Sequence, residues 1–400
     1  MLSSQSKRKV LNMAREAVIV GVGDVPLKDG KVVGGGSVLQ VQARAAKAAL
    51  DNARIPMRDV DGLLVAGLWG VPGPGLLPSV TLGEYLGIFP RFADTTNIGG
   101  SAFEAQVAHA AMAIERGYCD VALIVYGSVQ KSERSRTLGG RPSVLTMQFE
   151  NVWGIPQPVG GYALAARRHM HEYGTTEEQL AEIAVATRKW ASLNPAATMR
   201  DPITIDDVMN STRISDPLKL LDCCLVTDGA GAIVMTTAEN ARAHGSKTIN
   251  IRGYGEAHTH WSIGAMPDLA RLTAAEMSSK TAFDMAGISR DAIDLVECYD
   301  SFTITVLMTL EALGFCKRGE GGQFVTNQRT APGGDFPLNT NGGGLSYCHP
   351  GMYGIFLLVE AVRQLRGEAG ERQVKNVNTA LVHGTGGTLS SGATVILANS

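Results

Sequence analysis

Residues 17–23, AVIVGVG, form a short unbroken apolar run, the pattern of a strand buried on both faces. An alanine-rich stretch at about 38–53, VLQVQARAAKAALDNA, follows with helical spacing. Then comes RIPMRDVDGLLVAG, a turn and a second strand. The same order returns in the C-terminal half: TINIRGYGEA as strand, LTAAEMSSKTAFDMA as helix, GISRDAIDLVECYD as turn and strand. Ala53-Arg54-Ile55 aligns with Ala286-Gly287-Ile288, and Asp61 with Asp294, without a gap.

The repeat continues. NIGGSAFEAQVAHAAMAIERG precedes the strand DVALIVYG, and HPGMYGIFLLVEAVRQLRG precedes the strand NTALVHGTGG. Arg116-Gly117 matches Arg366-Gly367, and Gly100 falls opposite Pro350, one place past His349. Each half closes on one more strand, GAGAIVMTTA or GATVILAN. The helices of this second part are expected to be the buried central ones, the first through its run of small apolar residues, EAQVAHAAMAI. Strand-helix alternation predicts an α/β fold of two pseudo-twofold halves around largely parallel sheets. Between Ser128 and about Pro217 the pattern breaks. The expected division is an N-terminal half at 1–128 and 218–245, an inserted loop domain at 129–217, and a C-terminal half at 246–400. Within the insertion, TTEEQLAEIAVATRKWASLNP opens as a capped helix, a Thr followed by acids in the first turn.

Composition narrows the classes. The 400 residues are 44% hydrophobic and 18% charged with net charge −2, which offers nucleic acid no basic surface. No run of about 18 apolar residues predicts a membrane span. The N-terminus lacks the apolar core of a signal peptide, so a cytoplasmic protein is expected. The six cysteines, at 119, 223, 224, 298, 316 and 348, include no CxxC pair, so no metal site is expected. Cys223, Cys224 and Cys298 read as core residues. His258 and His260 lie on one strand face, but a third ligand is not evident.

Five segments, NIGGSAFEAQVAHAAMAIERGYCDVALIVYG, LLDCCLVTDGAGAIVM, CYDSFTITVLMTLEALGFCKRGEGG, NTNGGGLSYCHPGMYG and VHGTGG, resemble the thiolase superfamily in the family's own order. The likeness is to sterol-carrier-protein-type thiolases, in particular the thiolase-like aldolases of steroid side-chain degradation. It implies a duplicated five-layer αβαβα thiolase fold, a homodimer and acyl-CoA substrates. Coenzyme A would enter as part of the substrate, with no separate cofactor. It also implies a small partner protein with an OB-fold and a zinc ribbon. The insertion would bind the CoA, with Lys131, Arg134, Arg136 and Arg141 as candidates for its phosphates.

A condensing thiolase carries a nucleophilic Cys at the start of its first central helix. That place here is Gly100, with Ser101 beside it, so covalent acyl transfer through Cys is not expected. The missing side chain is expected to leave room for a bulky substrate near the helix amides of Gly99, Gly100 and Ser101. The family's remaining motifs read Tyr299-Asp300-Ser301-Phe302, Tyr347-Cys348-His349-Pro350 and His383-Gly384-Thr385-Gly386-Gly387. The expected catalytic set is Tyr299, Tyr347, His349 and His383, with Gly384, Gly386 and Gly387 supplying backbone donors to a thioester carbonyl. Two acid/base groups and an oxyanion hole suit retro-aldol cleavage of a β-hydroxyacyl-CoA. The alternatives are a Cys-independent acyltransferase working through Ser101 and a non-catalytic acyl-CoA or lipid carrier.

Overall fold

A computed structural model describes residues 15–67, 77–134 and 147–399. Nine strands form one continuous sheet: β1 (Ala17–Asp24), β2 (Gly62–Val65), β3 (Phe92–Asp94), β4 (Val121–Ser128), β5 (Gly229–Thr237), β6 (Ile249–His258), β7 (Leu295–Cys298), β8 (Thr379–Gly386) and β9 (Ser391–Asn399). Their order is β7-β8-β9-β6-β1-β5-β4-β2-β3. The halves are therefore mirrored about the antiparallel β1–β6 pair, which joins them through Val18–Asn250 and Ile19–Ile249.

The helices complete the layers. On the outside, α1 (Val38–Ala53) covers β1, β5 and β4, and α5 (Thr273–Ala286) covers β6 and β9. Between the half-sheets lie α2 (Ala102–Glu115) and α7 (Gly354–Leu365), which touch each other and strands of both halves. Eleven of the 14 residues of α2 and 11 of the 12 of α7 are buried, Glu104, Gln106, Glu360 and Gln364 among them. The layer sequence is thus α, β, α, β, α. One core cluster fills the middle around Phe103, Tyr126, Tyr299 and Phe356, and a second lies under α1.

The sequence repeat survives in atomic detail. Asp61 accepts the amides of Asp120 and Val121, each at 2.8 Å. Its counterpart Asp294 accepts those of Asn378 and Thr379, at 2.8 and 3.0 Å. Each aspartate pins the strand that follows a central helix.

From β4 to β5 the chain leaves this frame. It passes through α3 (Val159–Tyr173) and α4 (Glu177–Ser192), which pack on α6 (Thr303–Leu313) of the other half. Thr176 caps α4 with the reciprocal box through Gln179. Lys219, buried at 3% exposure, is ion-paired to Glu177 at the start of α4. Among the described residues, no helix is long and apolar enough to cross a membrane.

Candidate active site

The site forms where three turns meet the buried ends of α2 and α7. Tyr299 leaves the end of β7, its amide donating to the His383 carbonyl at 3.0 Å. Alternation along β7 sends Leu295, Glu297 and Tyr299 to the central layer. The Tyr299 ring lies against Gly100. A Cβ at residue 100 would overlap the ring and stand 2.7 Å from the Thr385 carbonyl oxygen. The expected room for substrate at Gly100 is therefore absent, because the tyrosine fills it. The glycine is required by that ring, and a nucleophilic side chain could not share the place.

His349 is held from both sides. Its amide donates to Thr227 Oγ1 at 2.9 Å, and its carbonyl accepts from Gln130 Nε2 at 3.0 Å. Tyr126 secures the turn that follows: its hydroxyl donates to the Pro350 carbonyl at 2.5 Å and accepts the Met352 amide at 3.2 Å. Asp300 organises the preceding glycine-rich loop, accepting the amides of Gly344 at 2.6 Å and Leu345 at 3.1 Å. So placed, His349 Nε2 shares a 2.8 Å hydrogen bond with the Tyr299 hydroxyl. The rings meet edge to face at 87°, and the His349 ring stacks on Tyr353.

The Tyr299 oxygen also accepts the Tyr353 amide at 3.2 Å. Tyr353 is the N-cap of α7, so the phenol faces the positive end of a buried helix. Burial, with smaller contributions from Cys224, Tyr162 and Tyr126, raises the Tyr299 pKa well above that of a free phenol, and the Tyr353 amide opposes the rise. At rest Tyr299 keeps its proton. It is placed to pass that proton to His349 while accepting one from a bound group, with the helix amide steadying the oxygen.

The other expected residues lie apart from this pair. The Tyr347 hydroxyl donates to Asp24 Oδ2 at 2.9 Å, and Arg363 grips the same carboxylate at 2.6 and 3.0 Å. Burial works against the Asp24 charge, but the Arg363 guanidinium outweighs it and holds the pKa below the usual carboxylate range. Burial and the Asp24 charge together raise the Tyr347 pKa, and its hydroxyl proton is committed to Asp24 rather than to an imidazole. Tyr347→Phe is accordingly expected to cost about tenfold in kcat, one hydrogen bond at an ordered loop, against a far larger loss at Tyr299. Steady-state rates of the two variants make the comparison.

His383 corrects its expectation. Leu381, Cys298 and Ile396 pack in the outer cluster of the C-terminal half, while Val382 and Val395 face the central one. Alternation puts His383 on the outer face, away from Tyr299. There its Nδ1 meets Thr394 Oγ1 at 2.9 Å, and burial lowers its pKa to about 3. It is a neutral packed imidazole. Ser101 Oγ pairs with Ser391 Oγ at 2.7 Å and the Ile98 carbonyl at 3.2 Å, with no base to activate it. Gly384 and Gly386 lie inside β8, paired with Ala393 and Ser391 of β9. A Cβ at Gly99 would stand 2.6 Å from the Gly387 nitrogen. These glycines join the two halves in close backbone contact.

Cys298 is core, as expected, and so is Cys348. Cys223 and Cys224 are only half-buried, and Cys224 is near enough to influence Tyr299. Lys131 Nζ donates to the Asp29 carbonyl at 2.7 Å, while Arg136 and Arg141 fall outside the described residues. His260 Nε2 is taken by the Thr388 carbonyl at 3.0 Å. Sequence reasoning missed Tyr126, Tyr353, Asp24 and Arg363. None of the four left a usable signal: the repeat sets Tyr126 opposite Gly384, and the others meet the site through contacts distant in the chain.

A duplicated frame with two buried central helices and a site at their joined ends defines the thiolase class of fold. The chain belongs to the thiolase superfamily. A family model, Thiolase C-terminal domain-like, matches residues 255–399. The chain is 33% identical to a 17-hydroxy-3-oxo-4-pregnene-20-carboxyl-CoA lyase of Mycobacterium tuberculosis, over 95% of this chain and 99% of the relative. It is 34% identical to an acetyl-CoA acetyltransferase of Methanothermobacter thermautotrophicus, over 86% and 90% respectively. Among solved structures, the Ltp2-ChsH2(DUF35) aldolase superposes with a TM-score of 0.85 at 30% identity, over 97% of this chain and 98% of that one.

Proposed function

We propose that this protein is a thiolase-fold lyase that cleaves a β-hydroxyacyl-CoA by retro-aldol chemistry, with Tyr299 and His349 as its proton-transfer pair. One observation carries the proposal: the Tyr299 ring occupies the space beside Gly100, and its hydroxyl is bonded to His349. A site that has replaced the nucleophile with a buried phenol–imidazole pair suits proton transfer and cannot form an acyl-enzyme there. The relatives named as a lyase and as an aldolase support the same chemistry.

The reaction balances within these groups. The substrate β-hydroxyl gives its proton to the pair, which carries it with His349 as the sink. The O–H electron pair becomes the carbonyl π bond, and the Cα–Cβ pair becomes the enolate of the thioester. On this reading the enolate oxygen lies toward the N-terminus of α7, whose positive end favours the developing charge. The proton then returns to the enolate carbon. The products are a ketone or aldehyde and a shorter acyl-CoA, with no net proton consumed.

The insertion between β4 and β5 is assigned to CoA binding on the same reading. A small OB-fold, zinc-ribbon partner is included because the superposed aldolase is a two-component assembly, Ltp2 with ChsH2(DUF35). A homodimer is supported by the free edge of β3, beside which Leu77, Val80, Tyr85 and Phe89 are exposed, Phe89 at 95%. Light scattering of the purified chain is expected to give twice the monomer mass, and Phe89→Glu to reduce it to one. The functional test is incubation with β-hydroxyacyl-CoA thioesters of increasing bulk, with the partner present. Equal amounts of carbonyl product and shorter acyl-CoA support the lyase. A covalent acyl group on the protein supports the acyltransferase instead.

A further inference from the structure

Glu104 stands on α2 one helical turn beyond Gly100, and the reaction scheme above gives it no work. It is 1% exposed, and among the described residues no other residue donates a hydrogen bond to its carboxyl, which has only its own backbone amide. Two glycines make room for it. A Cβ at Gly354, the first residue of α7, would stand 2.6 and 2.7 Å from the two oxygens, and one at Gly384 in β8 would overlap Oε2. The carboxyl therefore lies among backbone at the junction of α2, α7 and β8. Gly100, under the Tyr299 ring, is on one side of it. Gly354, next to the Tyr353 amide that binds Tyr299, is on the other. Burying a polar group this poorly partnered costs roughly 1–3 kcal/mol, so the fold keeps this one at a penalty.

We infer that Glu104 is a pH-sensitive group buried beside the lyase site: as a neutral acid it leaves the junction uncharged while negative charge forms on the substrate, and its ionisation shuts the reaction down. The inference rests on the proposed lyase chemistry. An anion in this enclosed place would oppose the enolate through a low dielectric. Burial raises the Glu104 pKa to about 8, so the acid carries its proton at neutral pH. Several titratable side chains stand on the elements around it. Glu297 lies in β7 with its pKa raised well above the usual range by burial. Tyr299 and Asp300 follow β7, and burial raises the Asp300 pKa to about 7. His349 and Tyr353 stand at the α7 end, His383 faces away from the central layer on β8, and Glu115 lies at the far end of α2. Further along α7, Glu360 is paired to Arg372, and Arg363 to Asp24. Further along α2, His109 is paired to Asp94. The turn at 99–101 and β9 bring none.

Glu104→Gln keeps the shape and removes the ionisation. In the wild type, kcat/KM is expected to fall about tenfold per pH unit above pH ~8. In the variant the activity at pH 7 stays within about twofold, and the alkaline limb moves up by at least one unit. An unmoved limb overturns the inference and leaves the lyase proposal standing. A readout independent of turnover uses S-carboxymethyl-CoA, whose carboxylate imitates the enolate charge. Its wild-type affinity is expected to weaken above pH ~8, and that of Glu104→Gln to persist at least one unit higher. Equal pH dependence in the two proteins overturns the inference. Absence of binding at every pH in both overturns this inference and the acyl-CoA reading together. Where Glu104→Gln fails to fold, the shorter Glu104→Asp takes its place, with its limb expected at a different pH from the wild type.

Discussion

Tyr299→Phe is expected to lower kcat/KM at least ~100-fold while the protein stays folded, because it removes the hydroxyl that relays the proton to His349 and keeps the ring. The ring is what occupies the space beside Gly100 and closes the joint between α2 and β8. The hydroxyl serves the chemistry through His349 Nε2 and the Tyr353 amide. Losing it leaves both without that partner, at a stability cost of about 1–3 kcal/mol, which thermal unfolding reads. The loss should appear in kcat more than in KM, since the proton moves only as the C–C bond breaks. A variant as active as the wild type removes Tyr299 from the mechanism.

Gly100→Cys is the second large expectation. It returns the residue type that condensing thiolases use at this place, and it should yield no thiolase. The new Cβ would overlap the Tyr299 ring and press on the Thr385 carbonyl oxygen. The expected cost is about 3 kcal/mol, the upper end for overpacking a dense core. Lyase activity should fall with it, because the ring can move only by breaking its bond to His349. The clash is specific, so Tyr299→Ala in the same chain should recover stability, with a coupling of about 1–3 kcal/mol in a double-mutant cycle. Additive effects would mean that ring and glycine do not share the space.

The frame of this fold is legible in the chain, and the site only in part. The repeat at 17–65 and 249–298 could be traced by eye because the order of strand, helix, turn and strand recurs without a gap, although the expected largely parallel sheet is mixed: β1 and β6 are bonded antiparallel to each other and to β5 and β9 respectively. The equivalence of Asp61 and Asp294 then proved to be one capping device used twice. Tyr299 and His349 stood out through motif position. Their contact spans 50 residues and depends on two turns folding together, which periodicity does not encode. Tyr347 meets Asp24 across 323 residues, a pairing with no local trace. His383 was a question of strand parity: the alternation was visible, but which face met the central layer was not. Glu104 did leave a mark. A lone acid in AFEAQVAHAAMAI, a run small and apolar enough to be buried, conflicts with its surroundings, and such conflicts mark functional positions. Gly100 suggested space because a sequence shows the side chain that is missing and not the one that fills its place.

The most direct test of cysteine-free retro-aldol cleavage is a single turnover of a bulky β-hydroxyacyl-CoA in heavy water, with mass analysis of both products and of the intact protein. The expected result is one solvent deuteron on the α-carbon of the shorter acyl-CoA, a matching amount of carbonyl compound, and a protein of unchanged mass. An acyl adduct on the protein, or a shorter acyl-CoA released without its carbonyl partner, would contradict it.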